Sequence, residues 1–209
     1  MSFLNHPILE QSFAIIDREM GENNFSPSEY EIVRRVIHAT ADFEFTQLLY
    51  FSLEAIESGI NYLREGKPII TDVTMVKQGI ATLVAKSFNN PILAAVEQVS
   101  VPQPGKTRTE TGLLRCFAEY PQAIYVIGNA PTALLALCER VFPSPIKPAL
   151  IIGAPVGFVS VLESKKALSQ LSVPQIRVEG RKGGSPVASA ILNALLVLAK
   201  GNRDYDFSD

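Results

Sequence analysis

The stretch AIYVIGNAPTALLALCERVFPSPIKPALIIG, residues 123–153, decides the fold class. It starts with a short Ile/Val-rich run, AIYVIG, then passes Asn129-Ala130 and enters a helical segment at Pro131. Proline suits the first helical turn because the N–H it lacks would have no partner there. A second apolar run, ALIIG, follows the helical segment PTALLALCERVF. Strand, helix and strand, without polar alternation in the strands, is a βαβ unit of a parallel sheet buried on both faces.

The same alternation extends to both sides. PIIT (68–71), TLVAKSF (82–88) and IRVEG (176–180) are further expected strands, and TETGLLRCFAEY, VLESKKALSQL and SPVASAILNALLVLAKG are further expected helices. Residues 67–200 therefore predict a doubly wound, three-layer α/β/α domain with a mainly parallel sheet of about five strands. Residues 1–66 read as a mainly helical N-terminal section, and 201–209 as a polar tail. In HPILEQSFAIIDREM, Ile8, Phe13, Ile16 and Met20 fall near one side. In SPSEYEIVRRVIHATAD, Ser26 is the N-cap, Pro27 the first helical residue and Glu29 the capping-box partner, with Val33, Val36 and Ile37 as the buried stripe. LEAIESGINYLREG is a further helix stopped by Gly66, and VSVPQPGKTRTE is the most loop-like stretch. No repeat or linker divides the 209 residues, so a single domain is expected.

A net charge of −2 leaves no bulk positive field for nucleic acid, so an anionic ligand would have to be met by local arginines and lysines. Cys116 and Cys138 form no metal-ligand spacing with each other or with histidine, which predicts no protein-held metal and fits a reducing cytoplasm. MSFLNHPILEQSF has no basic head and apolar run of a leader. PALIIGAPVGFVSVL is broken by glycine and proline and is too short to span a bilayer. A cytoplasmic protein without membrane contact is expected.

In such sheets ligands bind beyond the carboxyl ends of the strands. Three turns stand out there. In YVIGNAPTALLAL, Asn129 can cap the helix or offer its amide to a ligand. In LIIGAPVGFVSVLESK, Gly153, Pro155 and Gly157 shape the loop. In RVEGRKGGSPVASA, Gly183 and Gly184 would expose backbone N–H groups beside Arg181 and Lys182, which suits a phosphate or carboxylate. Tight βα connections need glycine and proline whatever the function. GxxxxGK[ST], a GxGxxG after a strand and GxSxG are all absent.

His38, one of two histidines, lies in YEIVRRVIHATADFEF, off the buried stripe. Arg34 and Arg35 share its helical face and Asp42 follows one turn later. Two guanidinium groups push an imidazole pKa down, so the empty site would hold neutral His38. An incoming polyanion would occupy the arginines and reverse that push, which makes His38 a general acid coupled to binding. A solvated surface histidine is the plain alternative. His6, before Pro7, reads as a terminal surface residue.

The chain resembles the precorrin-8X and cobalt-precorrin-8 methylmutases of cobalamin biosynthesis, nearly end to end. The resemblance rests on QSFAIID (11–17), RVIHATADFEF (35–45), PIITDVTMVKQGI (68–80), KTR (106–108), VIGNAPTALLAL (126–137), IIGAPVGFVSVLESK (151–165) and GRKGGSPVASAILNAL (180–195). It implies a flavodoxin-like fold, a homodimer with sites near the subunit interface, and no cofactor, any cobalt belonging to the substrate. It implies migration of a methyl group from C-11 to C-12 of the macrocycle, a formal 1,5-sigmatropic shift giving cobyrinate or hydrogenobyrinate. His38 matches the histidine that protonates or hydrogen-bonds the ring nitrogen near the migrating methyl. Ser12, Arg35 and Arg108 match substrate contacts.

The substrate's rim of carboxylates gives Arg181, Lys165 and Lys182 a role by position, with Asn129 and the N–H groups at 128–130 and 183–185 as further partners. ATADFEF and GRKGGS look closer to the cobalt branch. Two other readings stand beside this one: a non-catalytic flavodoxin-like module binding a small anion or nucleotide, and a corrinoid carrier.

Overall fold

The structure is a computed structural model and describes residues 7–201, so the expectations for His6 and for residues 202–209 lie outside it. Helices α1 (Pro7–Met20) and α2 (Pro27–Thr40) open the described chain. The α2 start is the one the sequence predicts. Ser26 Oγ accepts from the Glu29 N–H, and the Glu29 carboxylate accepts from the Ser26 N–H. The Val33–Val36–Ile37 stripe is buried together with Ile32. On α1, Phe13 and Ile16 are buried, while Ile8 is 68% exposed.

A short helix α3 (Phe45–Leu48) leads into strand β1 (Leu49–Phe51), followed by α4 (Ala55–Arg64), β2 (Ile69–Thr71), α5 (Thr74–Ala85), β3 (Ile92–Ala94) and α6 (Arg108–Glu119). Then come β4 (Ile124–Ile127), α7 (Pro131–Val141), β5 (Leu150–Gly153), α8 (Val161–Ser169), β6 (Gln175–Val178) and α9 (Ser185–Gly201). Among the described residues the sheet has six strands, in the order β1-β6-β5-β4-β2-β3. All neighbours are parallel except β1 and β6. The parallel part, numbered among itself, has the order 2-1-3-4-5 of flavodoxin-like folds, with its switch point between β2 and β4.

Two details differ from expectation. TLVAKSF is not a strand. Val76, Ile80 and Val84 are buried at four-residue spacing and draw Thr82–Ala85 into α5, and the edge strand is Ile92–Ala94 instead. The sixth strand, β1, comes from the section expected to be helical, where LYF pairs antiparallel with β6.

Every residue of β4, β5 and β6 is buried. Ile124 and Val126 face one core with α2, α4, α5 and α9; Tyr125 and Ile127 face the other with α6, α7 and α8. This is the continuous apolar strand that a doubly covered sheet requires. Cys116 and Cys138 are buried and free on α6 and α7, and burial pushes their pKa values up to about 11 and about 12.

Candidate active site

The last two turns of α2 carry Arg34, Arg35 and His38 toward α1. Ser12 Oγ lies 2.8 Å from His38 Nδ1. The Phe13 ring meets the imidazole edge-on at 5.5 Å between centroids. Ser12 is half-buried; His38 is exposed on its remaining side. The hydroxyl donates to Nδ1 of the neutral ring, leaving Nε2–H outward, and accepts from Nδ1–H of the charged ring. It therefore orients Nε2 in both protonation states. Ser12, expected as a substrate contact, stands beside the imidazole and bonds it.

The two arginines separate in role. Arg34 donates to Asp17 at 3.1 Å and pairs with Glu31, and Tyr30 donates to the same Asp17 at 2.6 Å. Arg34 is thereby committed inside the protein. Arg35 is half-buried, its guanidinium carbon 5.6 Å from the Phe13 centroid, and among the described residues it donates to no carboxylate. Burial, then Arg35, lowers the His38 pKa from its ordinary value. The direction is the expected one, but partial burial leads and Arg35 follows.

Below His38, Ala41 ends α2 in the left-handed conformation at φ 53°. Asp42 and Glu44 then accept from Lys182 Nζ at 2.5 and 2.7 Å. This ties the His38 end of α2 to the turn beyond β6. Lys182 was expected to hold a substrate carboxylate and is instead paired within the chain. Lys165 was expected in the same role, yet it is 2% exposed and its Nζ donates to the carbonyls of Gly180 and Lys182 at 2.7 Å each. Arg181, between them, is exposed, with its guanidinium 5.7 Å from the Phe158 centroid. Phe158, Val159 and Leu162 on the β5–α8 segment are exposed by 86, 80 and 46%.

The turn after β4 departs most from expectation. Its N–H groups do not await a ligand, because the Asp72 carboxylate at the end of β2 fills the nest. Oδ1 accepts from Val73 and Gly128 at 2.9 and 3.1 Å; Oδ2 accepts from Asn129 and Ala130 at 2.6 and 2.8 Å. Asp72 is fully buried. Burial raises its pKa and the four N–H groups oppose that rise; both oxygens act as acceptors only, the pattern of a carboxylate. Gly128 is required by packing, since a Cβ there would lie 2.7 Å from Val76 Cγ2. At the second expected nest, one N–H is in use. The Gly184 N–H donates to the Ala154 carbonyl at 2.8 Å, and a Cβ on Gly183, at φ +152°, would lie 2.4 Å from the same oxygen.

Asn129 remains exposed at the switch point, its backbone N–H held and its side chain outward of the turn. Arg108 opens α6, exposed, with Nε donating to the Val96 carbonyl at 3.1 Å. It belongs to the β3 end of the sheet. Four strand intervals, about 19 Å, separate that end from β6, to which His38 is tied. One chain therefore gathers Ser12, Arg35 and His38 in one cluster and spreads Asn129, Arg181 and Arg108 along the carboxyl edge. A cleft of about 690 Å³ opens at the other end of α2, lined by Ser26, Glu29, Phe51, Leu53, Glu57 and Arg64, and none of the expected site residues borders it. Among the described residues no group of three His, Cys, Asp or Glu side chains could hold a metal, and no helix is long and apolar enough to cross a membrane.

Comparison with known proteins places this geometry in a family. The precorrin-8X methylmutase family model matches residues 7–198. A cobalt-precorrin-8 methylmutase of Synechocystis is 58% identical over 94% of this chain and 97% of its own length. A precorrin-8X methylmutase of Sinorhizobium is 37% identical over 90% of this chain and 92% of its own. The crystal structure of precorrin-8X methylmutase from Thermus thermophilus superposes with a TM-score of 0.85 at 41% identity, covering 94% of this chain and 99% of that one.

Proposed function

The chain belongs to the precorrin-8X methylmutase family, and on that premise we propose how its residues catalyse the reaction. It is an isomerase of cobalamin biosynthesis that moves a methyl group from C-11 to C-12 of the precorrin-8 macrocycle. A sigmatropic shift needs no external nucleophile. A proton at a conjugated ring nitrogen draws electron density from the π-system and lowers the barrier to migration. His38 Nε2 delivers that proton and takes it back when the product forms. Ser12 holds the ring through Nδ1.

The observation that carries this reading is the split between the two arginines. Arg34 is consumed by Asp17 and Glu31, whereas Arg35, beside His38, has no carboxylate partner among the described residues and can turn its fork to a substrate carboxylate. When that carboxylate arrives it offsets the charge that depresses the His38 pKa, so the imidazole gains its proton with the substrate in place. Arg181, Asn129 and Arg108 meet further carboxylates along the strand ends. The 58% identity to a relative named for the cobalt form supports a metallated ring. The protein itself needs no cofactor, and the cobalt travels as part of the substrate.

The His38 face is open in one chain, and Phe158 and Val159 stand in solvent beside the β6 turn. A homodimer in which a second copy closes this face accounts for both. The generic anion- or nucleotide-binding module loses its support, because Asp72 occupies the switch-point nest such a ligand would use. The test is a spectral assay with cobalt-loaded and metal-free substrate, followed by His38→Ala. Turnover by the wild type, with loss of at least about a hundredfold in a folded His38→Ala variant, is expected; near-normal turnover by the variant would refute the acid role.

A further inference from the structure

Lys165 is among the bulkiest side chains fully enclosed by the protein, and no step above uses it. It stands on α8 and reaches the turn after β6. Its Nζ donates to the carbonyls of Gly180 and Lys182, 2.7 Å away in each case. The first carbonyl belongs to the peptide that enters Arg181 and the second to the peptide one residue beyond it. Among the described residues no carboxylate lies within ion-pair distance of Nζ, and Glu179, the acid whose charge acts on it, is held by Arg177 Nε at 2.7 Å.

An enclosed ammonium without a counter-ion is costly, and methionine would fill the same space without that cost. Packing alone therefore does not explain a cation here. What the cation adds is direction. Two charge-assisted hydrogen bonds fix the 180–181 and 182–183 peptide planes, and so bracket the backbone that carries Arg181. The same turn carries Lys182, whose side chain holds Asp42 and Glu44 just beyond His38.

We propose that Lys165 is a positioning residue for methyl migration: by holding the Gly180 and Lys182 carbonyls it aims Arg181 at a substrate carboxylate. The inference rests on the family reaction and on Arg181 as a substrate contact. Burial lowers the Lys165 pKa to about 8 against the opposing influence of Glu179, so both bonds are charge-assisted at neutral pH and weaken as pH rises through about 8. Lys182, the other amine at this turn, is shifted upward by Asp42 and Glu44 and keeps its charge there.

The experiment is a kinetic cycle of wild type, Lys165→Met, Arg181→Ala and the double variant, at neutral pH with the substrate form the wild type turns over. Lys165→Met should raise KM about tenfold and leave kcat within about twofold. The double variant should match Arg181→Ala within about twofold, because the lysine acts through the arginine. Multiplying effects in the double variant would overturn the proposal. If Lys165→Met does not fold, the pH profile decides. Wild-type KM should rise above about pH 8 and that rise should vanish in Arg181→Ala; a wild-type KM flat to pH 10 would overturn it. A wild type inactive on both substrate forms would overturn the reaction assignment and this role with it, whereas an active wild type with multiplying effects overturns the role alone.

Discussion

Replacing Asp72 with alanine removes the group that ties the end of β2 to the turn opening α7. Four backbone N–H groups, from Val73, Gly128, Asn129 and Ala130, lose an acceptor that is itself fully buried, although three of the four bonds lie at a partly buried position. A buried donor left unpaired costs about 1–3 kcal/mol. Water entering the small polar cavity recovers part of that, so the net loss is about 4 kcal/mol. In a chain of 209 residues this corresponds to a fall of about 8–16 °C in Tm. Asp72→Asn keeps the shape but turns an NH₂ group toward two of the donors, and should cost nearly as much. Urea unfolding followed by circular dichroism measures both. A loss below about 1 kcal/mol in both variants would refute the reasoning, because the carboxylate would then not be what holds the turn.

Ser12→Ala leaves Nδ1 of His38 without its partner; kcat should fall about tenfold while KM stays within about twofold, and Ser12→Thr should restore most of the loss. Steady-state kinetics checks this, and an unchanged kcat would show that the hydroxyl does not orient the ring. The His38 pKa also sets a pH trend in stability. Its folded value lies below the ordinary 6.5, so the unfolded chain binds the proton more readily. The stability linked to neutral His38 is complete above about pH 6.5 and is lost as pH falls toward the folded value. Urea melts from pH 8 to pH 5 should show this decline in the wild type and a smaller one in His38→Gln; equal slopes would contradict the shift.

The elements that were legible in the sequence are those whose signals are local. The Ser26–Glu29 capping box and the Val33–Val36–Ile37 stripe lie within three or four residues of each other and are formed as read. The runs at β4, β5 and β6 are apolar without alternation because helices cover both faces of the sheet. TLVAKSF misled because its apolar residues suit either structure; the Val76–Ile80–Val84 spacing, taken with it, marks a helix. β1 is three residues long and exists only through its pairing with β6.

The site was legible in part. His38 and Arg35 could be paired because one helical turn joins them, and Ser12 reached the list through family resemblance. That Ser12 meets His38 at Nδ1 depends on how α1 packs on α2, which no local pattern encodes. Asp72, Lys165 and Lys182 show why charge alone misleads. In sequence, Asp72 is a single acid after a strand, and the two lysines are basic residues near the ligand edge. Each is consumed by backbone or by an acid that only the fold brings near: 56 to 58 residues away for Asp72 and the β4 turn, and 138 to 140 for Lys182 and its acids. A DxT segment ending one strand beside a GNAP turn ending its neighbour is the signal that would have found the Asp72 nest once the strand order was known.

The central claim is that His38 is neutral in the free enzyme and gains a proton when the macrocycle binds. With two histidines in the chain, His38→Ala identifies the imidazole resonance by its disappearance, so the group can be titrated by NMR in the free protein and with bound product. The account predicts a midpoint below 6.5 in the free enzyme that moves upward with product bound. A midpoint that stays where it was, or that starts above the ordinary value, would contradict it.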